Sequence, residues 1–230
     1  MKSQVIILSL NDQVFLLSTN SLGAYLAVVV ERQLRPLLRS QIRGVVLVYP
    51  FLQLVHFRLP SYMMYLKHRL LSMLHEHTLA EMINYYLNST FDADQLLDNR
   101  HLSKNDFDSF NRKLNRSAGQ NELNTFTSTS FSHPSTEILF DINVSPLLAD
   151  DSILLNSPST LLVACKYDIF LSDVQLYHER LQNLRVNDIV YNEYSTFHGA
   201  ISFVDFPFQF PEAFDIIRDS AKFIVDRLIK

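Results

Sequence analysis

The sequence predicts an α/β fold, in which a mostly parallel β-sheet carries helices on its faces. One observation is a strand, a helix and a strand within about 35 residues, a unit that pairs its two strands in parallel. A second is the return of this alternation over residues 158–230. A third is composition: 47% of the 230 residues are hydrophobic, enough to bury one large core.

The strand–helix–strand unit occupies residues 14–50. The apolar run 14–18 predicts a buried strand, and 44–48 predicts a second one. Between them, residues 22–33 predict a helix. We expect that helix to end before Pro36, because proline cannot continue the backbone hydrogen bonding of a helix.

Residues 60–145 are interpreted as a helical cap or lid insertion. Between residues 64 and 87, apolar residues recur at helical spacing and predict one or two amphipathic helices. Residues 98–137 are rich in Asn, Ser, Thr and Asp, which indicates a mobile loop or lid. His75 and His77 resemble a metal pair, but residues two apart diverge on a helix, so we expect no metal.

The segment 158–230 resumes the α/β alternation. Residues 161–165 and 189–194 predict strands, and residues 172–182 predict a helix between them with Ser172 as its N-cap.

The chain ends in a predicted helix over residues 211–228. We expect one apolar face on it, made of Phe214, Ile217, Ala221, Ile224 and Leu228. The single cysteine, Cys165, lies in an apolar run and is expected to be an inert core residue.

Charge and hydropathy exclude some partners. The net charge is −4 and no basic face is evident, so nucleic acid is not an expected partner. No run approaches the ~20 apolar residues of a membrane span. No cofactor motif is present, and we expect no cofactor.

A candidate nucleophile elbow lies between the first predicted strand and helix. Thr19-Asn20-Ser21-Leu22-Gly23 matches the S-x-G half of G-x-S-x-G, although Thr19 replaces the first glycine. In such a turn the backbone N–H of Leu22 points into an oxyanion site, and Gly23 keeps the turn open. The alternative interpretation is that Ser21 is an ordinary helix N-cap.

Two further polar residues directly follow predicted strands. Asp168 and His198 are both expected at the carboxyl-end edge of the sheet, together with Ser21. The chain order Ser, Asp, His is that of an α/β-hydrolase triad. Taken singly, Asp168 could cap the next helix, Asp173 could take its place, and His198 could be a loop histidine. Their common edge favours a catalytic triad.

Six segments of the chain resemble one family. They are SLGAYLA at 21–27, LVYP at 47–50, LPSY at 59–62, SPLLADD at 145–151, CKYD at 165–168 and FHGAISF at 197–203. They resemble segments of the arylacetamide deacetylase esterases, in the hormone-sensitive-lipase group of the α/β-hydrolases. The resemblance runs from about residue 14 to 230 and matches the C-terminal half of that family.

The resemblance implies that Ser21 is the nucleophile, His198 the general base and Asp168 its orienter. It further implies hydrolysis of lipophilic ester or amide small molecules, a luminal address in the endoplasmic reticulum, and one incomplete domain over residues 1–230. The family's N-terminal half supplies a membrane anchor, the first strands and an HGGG oxyanion segment, and none of these is found in this sequence.

Three hypotheses follow from this pattern. The chain is a fragment of a serine esterase, or an inactive pseudoenzyme or binding module, or a minimal esterase. In the third case residues 1–13 supply an edge strand. Without such a strand, residues 14–18 form an exposed apolar edge that invites self-association.

Overall fold

The computed structural model describes residues 5–10, 13–18, 21–38, 41–67, 76–114, 136–204 and 209–228. The chain divides into two compact units. The sheet unit comprises Met1–Phe51 and Asp151–Lys230, and the helical unit comprises Leu52–Asp150. Among the helices that the structure describes, none is long and apolar enough to cross a membrane.

In the described residues of the sheet unit, five strands form one sheet in the order β1-β2-β3-β4-β5. Their bounds are β1 Val5–Leu10, β2 Gln13–Ser18, β3 Ile42–Val48, β4 Ser159–Tyr167 and β5 Ile189–Phe197. Strands β2 to β5 are parallel, whereas β1 runs antiparallel to β2. This mostly parallel sheet confirms the predicted α/β fold class, and it brings the carboxyl ends of four strands to one edge.

The α-helices of the described residues are, in chain order, α1 Ser21–Leu38, α2 Pro60–Lys67, α3 Glu76–Leu87, α4 Ala93–Leu97, α5 Lys104–Lys113, α6 Thr136–Leu139, α7 Asp151–Leu154, α8 Leu171–Asn183 and α9 Pro211–Leu228. The closing helix has the bounds predicted from the sequence. The described parts of the periodic segment 64–87 lie on two helices, α2 and α3, and residues 68–75 lie outside the described residues.

Strand β2 is not the exposed edge that the sequence led us to expect. β1 pairs with it along its whole length, from Val5 opposite Ser18 to Leu10 opposite Gln13. The two strands are separated by two residues in sequence, the commonest spacing in a β-hairpin. The edge strand that the minimal-esterase hypothesis requires is therefore present.

The expected end of the first helix was wrong. α1 continues to Leu38 and contains Pro36 in its last turn. A proline there removes one hydrogen bond, to the Arg32 carbonyl. Side-chain hydrogen bonds of Arg35 stabilise this turn instead. Arg35 Nε donates to Glu31 Oε1 at 2.7 Å, and Arg35 Nη1 donates to the Ile153 carbonyl at 2.7 Å.

The loop expected over residues 98–137 was wrong where α5 forms. Ser103 is its N-cap and makes a capping box with Asp106: the Asp106 N–H donates to Ser103 Oγ at 3.2 Å, and the Ser103 N–H donates to Asp106 Oδ2 at 2.8 Å. Phe107 and Phe110 bury the inner face of the helix. Residues 115–135 lie outside the described residues.

The expected N-cap of α8 was also wrong. Ser172 lies inside the helix and is buried, and the N-cap position is Phe170, which makes no side-chain capping bond. The turn into the helix is formed by Asp168 instead. Its carboxylate accepts the Phe170 N–H at 2.9 Å, and its carbonyl accepts the Leu171 N–H at 3.2 Å.

The inner face of α9 differs from the predicted one by one residue. Phe214 and Ile217 are 44% and 41% exposed, so the predicted face was wrong. The buried positions are Ala213, Ile216, Ser220 and Phe223. Apolar residues occur on two adjacent faces of this helix, and the buried face also contains a serine. Hydropathy alone therefore favours the adjacent, exposed face.

The helical unit contains a buried polar network in the segment that leads to α2. Asn99 Oδ1 accepts the Phe57 N–H at 2.8 Å, and Gln53 Oε1 accepts the His56 N–H at 2.7 Å. His101 Nε2 lies 3.0 Å from the Val55 carbonyl. These bonds satisfy backbone groups of an irregular segment that is almost wholly buried.

Candidate active site

The backbone positions of the three predicted triad residues follow from the ends of three strands. Ser21 is the first residue of α1, after the end of β2. Asp168 directly follows β4, and His198 directly follows β5. All three strands are parallel members of one sheet, so the three positions share its carboxyl-end edge. Thr19, Asn20 and the side chain of Ser21 lie outside the described part of the chain.

Asp168 and His198 form a hydrogen-bonded pair. The distance from His198 Nδ1 to Asp168 Oδ2 is 2.8 Å. An ionised carboxylate can only accept, so opposite an ionised Asp168 the proton of this bond is on Nδ1; in the neutral imidazole the other ring nitrogen, Nε2, is then the acceptor. The Asp168 side chain is 1% exposed and that of His198 is 12% exposed. The pair therefore sits in a partly water-excluded position, where such a bond is stronger.

The second oxygen of Asp168 is also held. Oδ1 accepts the Phe170 N–H at 2.9 Å, so the carboxylate is fixed by its own chain on one side and by His198 on the other. The alternative carboxylate, Asp173, is buried in the first turn of α8. The residue paired with His198 is Asp168.

The chain turns sharply after His198. Gly199 has φ +86°, a left-handed conformation that side-chain-bearing residues rarely adopt. It leads from the end of β5 into a short 3₁₀ turn, Ala200–Phe203. A glycine at this position lets the chain reverse immediately after the histidine.

Two aromatic rings contact the His198 imidazole, and the sequence did not single out either as functional. The Tyr49 ring lies 4.9 Å from it between centroids and is tilted by 60°. The Phe170 ring lies 5.2 Å from it in an edge-on arrangement of 77°. The available signals were LVYP at 47–50, which includes Tyr49, and the position of Phe170 two residues after Asp168.

Tyr49 is fully buried and has an unusual backbone. Its φ is 38°, and its N–H donates to the Val163 carbonyl at 2.8 Å, which fastens the residue to β4. Burial, and secondarily the nearby carboxylate of Asp168, raises the pKa of the Tyr49 phenol above its usual value. The phenol is therefore neutral at physiological pH.

Leu22 and Gly23 lie in the first turn of α1, where Gly23 is buried. Backbone N–H groups in the first turn of a helix point along its axis, and the helix dipole favours negative charge there. Their roles in an oxyanion site remain predictions.

Cys165 is buried in β4 and is not in a disulfide. Burial, and secondarily the charges of Asp168 and Glu193, raise the pKa of its thiol above the usual value, so it stays protonated. Within the described residues, no group of three or more His, Cys, Asp or Glu side chains is arranged to hold a metal ion. His75 and the side chain of His77 are outside that part of the chain.

Comparisons with known proteins give the following relatives. No protein-family model matches the chain. Arylacetamide deacetylase-like 4 family member 1 of Mus musculus is 30% identical over 219 residues, which are 90% of this chain and 53% of that protein. Arylacetamide deacetylase of Bos taurus is 29% identical over 204 residues, which are 82% of this chain and 49% of that protein. The chain thus spans about half the length of the curated relatives it matches.

Solved structures agree in fold. The crystal structure of carboxyl esterase 2 from the mycorrhizal fungus Tuber melanosporum matches with a TM-score of 0.53 and 18% identity. The match covers 89% of this chain and 50% of that one. At this identity the likeness shows a shared fold and nothing about activity.

Proposed function

Because the chain is an arylacetamide deacetylase-like α/β-hydrolase, we propose that it is a serine carboxylic ester hydrolase acting through an acyl-serine intermediate. The observation that supports this most strongly is the hydrogen bond between Asp168 and His198, 2.8 Å long, at the ends of two adjacent parallel strands. The predicted nucleophile, Ser21, follows a third strand at the same edge of the sheet.

The proposed reaction has two half-reactions. His198 Nε2 takes the proton from the Ser21 hydroxyl as its oxygen attacks the ester carbonyl, and the Leu22 N–H stabilises the resulting oxyanion. The tetrahedral intermediate then breaks its bond to the alcohol oxygen, which receives the proton from His198. In the second half, His198 takes a proton from water as the water oxygen attacks the acyl-serine carbonyl. The bond to the Ser21 oxygen then breaks, that oxygen receives the proton from His198, and the carboxylic acid leaves. Asp168 holds Nδ1–H throughout and stabilises the imidazolium.

The proposed substrates are lipophilic esters or amides of small molecules, by resemblance to the relatives. We also propose that residues 60–145 form a cap that selects among them, since these residues belong to the helical unit Leu52–Asp150. Selection by such an insertion is common because one catalytic scaffold serves many substrates.

The test is hydrolysis of p-nitrophenyl acetate and p-nitrophenyl butyrate by the purified chain. We expect turnover above the buffer rate, which Ser21→Ala and His198→Gln both abolish. Turnover that survives Ser21→Ala would contradict the proposed nucleophile. A cooperatively folded chain that hydrolyses neither ester would contradict the proposal and favour the pseudoenzyme or binding module instead.

We propose a luminal address in the endoplasmic reticulum on the same resemblance. Three acceptor patterns for N-glycosylation occur in the sequence, at Asn88, Asn115 and Asn143. Asn88 and Asn143 are exposed, so either could accept a glycan. On expression in mammalian cells we expect a mobility shift that endoglycosidase H removes and Asn88→Gln with Asn143→Gln reduces. An unglycosylated chain would contradict the address.

A further inference from the structure

Aromatic rings form a continuous series around His198 within the sheet unit. Tyr25 lies 6.1 Å from Phe51 between ring centroids, Phe51 lies 4.9 Å from Phe170, Phe170 lies 5.2 Å from His198, and His198 lies 4.9 Å from Tyr49. Apart from the imidazole, every ring in this series is buried, with at most 9% exposure. Contacts at these distances and tilts are favourable aromatic pairs.

The series connects the segments that carry all three predicted triad positions. Tyr25 follows Ser21 by four residues on α1, which places it one helical turn further along the same side. Phe170 follows Asp168 by two residues, and its N–H donates to the Asp168 carboxylate. The elbow helix, the carboxylate segment and the histidine are thereby joined through ring contacts.

Tyr49 closes the series from the opposite end. It follows β3, the strand that lies between the strand before Ser21 and the strand before Asp168. Its backbone N–H donates to the Val163 carbonyl of β4 at 2.8 Å, so the residue that carries this ring is held against the sheet by its backbone.

We infer that Tyr49 and Phe170 are positioning residues that hold the His198 imidazole in one orientation. This inference rests on the proposed function. The hydrogen bond at Nδ1 alone allows the imidazole ring to rotate about that bond. Ring contacts from Tyr49 and Phe170 restrict this rotation. Nε2 therefore stays in the orientation in which it can accept the proton of the serine hydroxyl. Misplacement of a catalytic group by about 1 Å costs on the order of 100-fold in rate.

The experiment compares Tyr49→Leu and Phe170→Leu, which remove one ring each, with Tyr49→Phe, which keeps the ring. Phe223→Leu is the matched control, because Phe223 is a buried ring of α9 that packs under Arg227. Should a Leu variant lose the dispersed amide spectrum of a folded chain, the Met variant at the same position replaces it, since the flexible, unbranched Met side chain fills an irregular gap better than Leu.

Two measurements are made on each variant. The first is the ¹H–¹⁵N signal of the His198 Nδ1–H, identified by its loss in His198→Gln. The second is the steady-state kinetics of p-nitrophenyl butyrate hydrolysis. We expect both ring-removing variants to lose or broaden the signal and to lower kcat about 10- to 100-fold with little change in KM. Tyr49→Phe should retain the signal and most of kcat, and Phe223→Leu should resemble wild type.

The two readouts separate this inference from the proposed function. A wild-type chain that shows the Nδ1–H signal but hydrolyses no ester contradicts the proposed function, and the signal in the variants still decides the positioning role. A signal that persists in both Tyr49→Leu and Phe170→Leu overturns the inference. So does an equal loss in Phe223→Leu, or a wild-type chain in which the Nδ1–H signal is absent.

Discussion

Asp168→Asn is the substitution that most directly tests the Asp168–His198 pair. The asparagine has nearly the same shape, so the Phe170 N–H keeps an acceptor at Oδ1. Its amide NH₂ group, however, can donate to His198 Nδ1, which is 2.8 Å from the present Oδ2. Donation to Nδ1 moves the ring proton to Nε2, and that tautomer cannot accept a proton from serine.

The expected size of the effect follows from this change of tautomer. The same substitution in a serine-protease triad costs about 10⁴-fold in kcat, which is about 5.5 kcal/mol of transition-state stabilisation at 1.36 kcal/mol per tenfold. Folding stability should change less, by about 1.5–3 kcal/mol, the contribution of one hydrogen bond to a charged group.

The assay is kcat for p-nitrophenyl butyrate at pH 7, with urea unfolding as the check on folding. Asp173→Asn is the matched control, since Asp173 is also a buried carboxylate in the same segment. We expect Asp168→Asn to lose about 10⁴-fold and Asp173→Asn to lose far less. A loss below tenfold for Asp168→Asn, or equal losses for both variants, would refute the assigned role.

Three other predictions concern stability and reactivity. Arg35→Ala should lower the free energy of unfolding by about 3–5 kcal/mol in urea, because it leaves the Glu31 carboxylate, which is 3% exposed, without its bidentate partner; a loss below 1 kcal/mol would contradict this account. Ser103→Ala should lower the free energy of unfolding by about 1 kcal/mol in the same assay, because it removes the capping box of α5. An unchanged free energy of unfolding would show that the cap is dispensable. Cys165 should resist a disulfide-exchange reagent in the folded chain at pH 8 and react fully in urea, since burial raises the pKa of its thiol; fast reaction without urea would contradict its burial.

Much of the fold could be predicted from local sequence. Strands β3 and β4 are apolar runs bounded by turn-forming residues, and such runs can be recognised in the sequence because they are buried on both faces of a parallel sheet. Strand β5 lies at the edge of the sheet and is mostly half-buried, and its β-branched and aromatic residues predict it instead. The ends of β4 and β5 then predict the positions of Asp168 and His198, which directly follow them. Their 2.8 Å hydrogen bond is what parallel pairing of adjacent strands allows.

The errors arose where tertiary contacts outweigh local signals. Pro36 is accommodated because Arg35 holds the last turn of α1 by a contact with the Ile153 carbonyl, more than a hundred residues away in sequence. The buried face of α9 is the one that includes Ser220. Packing against the sheet determines which face is buried, and the hydropathy of the helix does not. Tyr49 was missed because its contact with His198 joins the ends of two non-adjacent strands.

A local signal in the sequence marks the start of α5. Ser103 followed by Asp106 is a capping box, which marks the start of a helix in an otherwise polar stretch. Phe107, Phe110 and Leu114 follow it at helical spacing and are all buried. The high content of Asn, Ser and Asp masked this pattern.

The central claim is that Ser21 is an activated nucleophile. The most direct measurement is labelling of the purified chain with a fluorophosphonate probe, followed by mass spectrometry of the labelled peptide. We predict one label per chain on Ser21, and none on Ser21→Ala. No labelling of the wild-type chain, or equal labelling of both proteins, would contradict the claim.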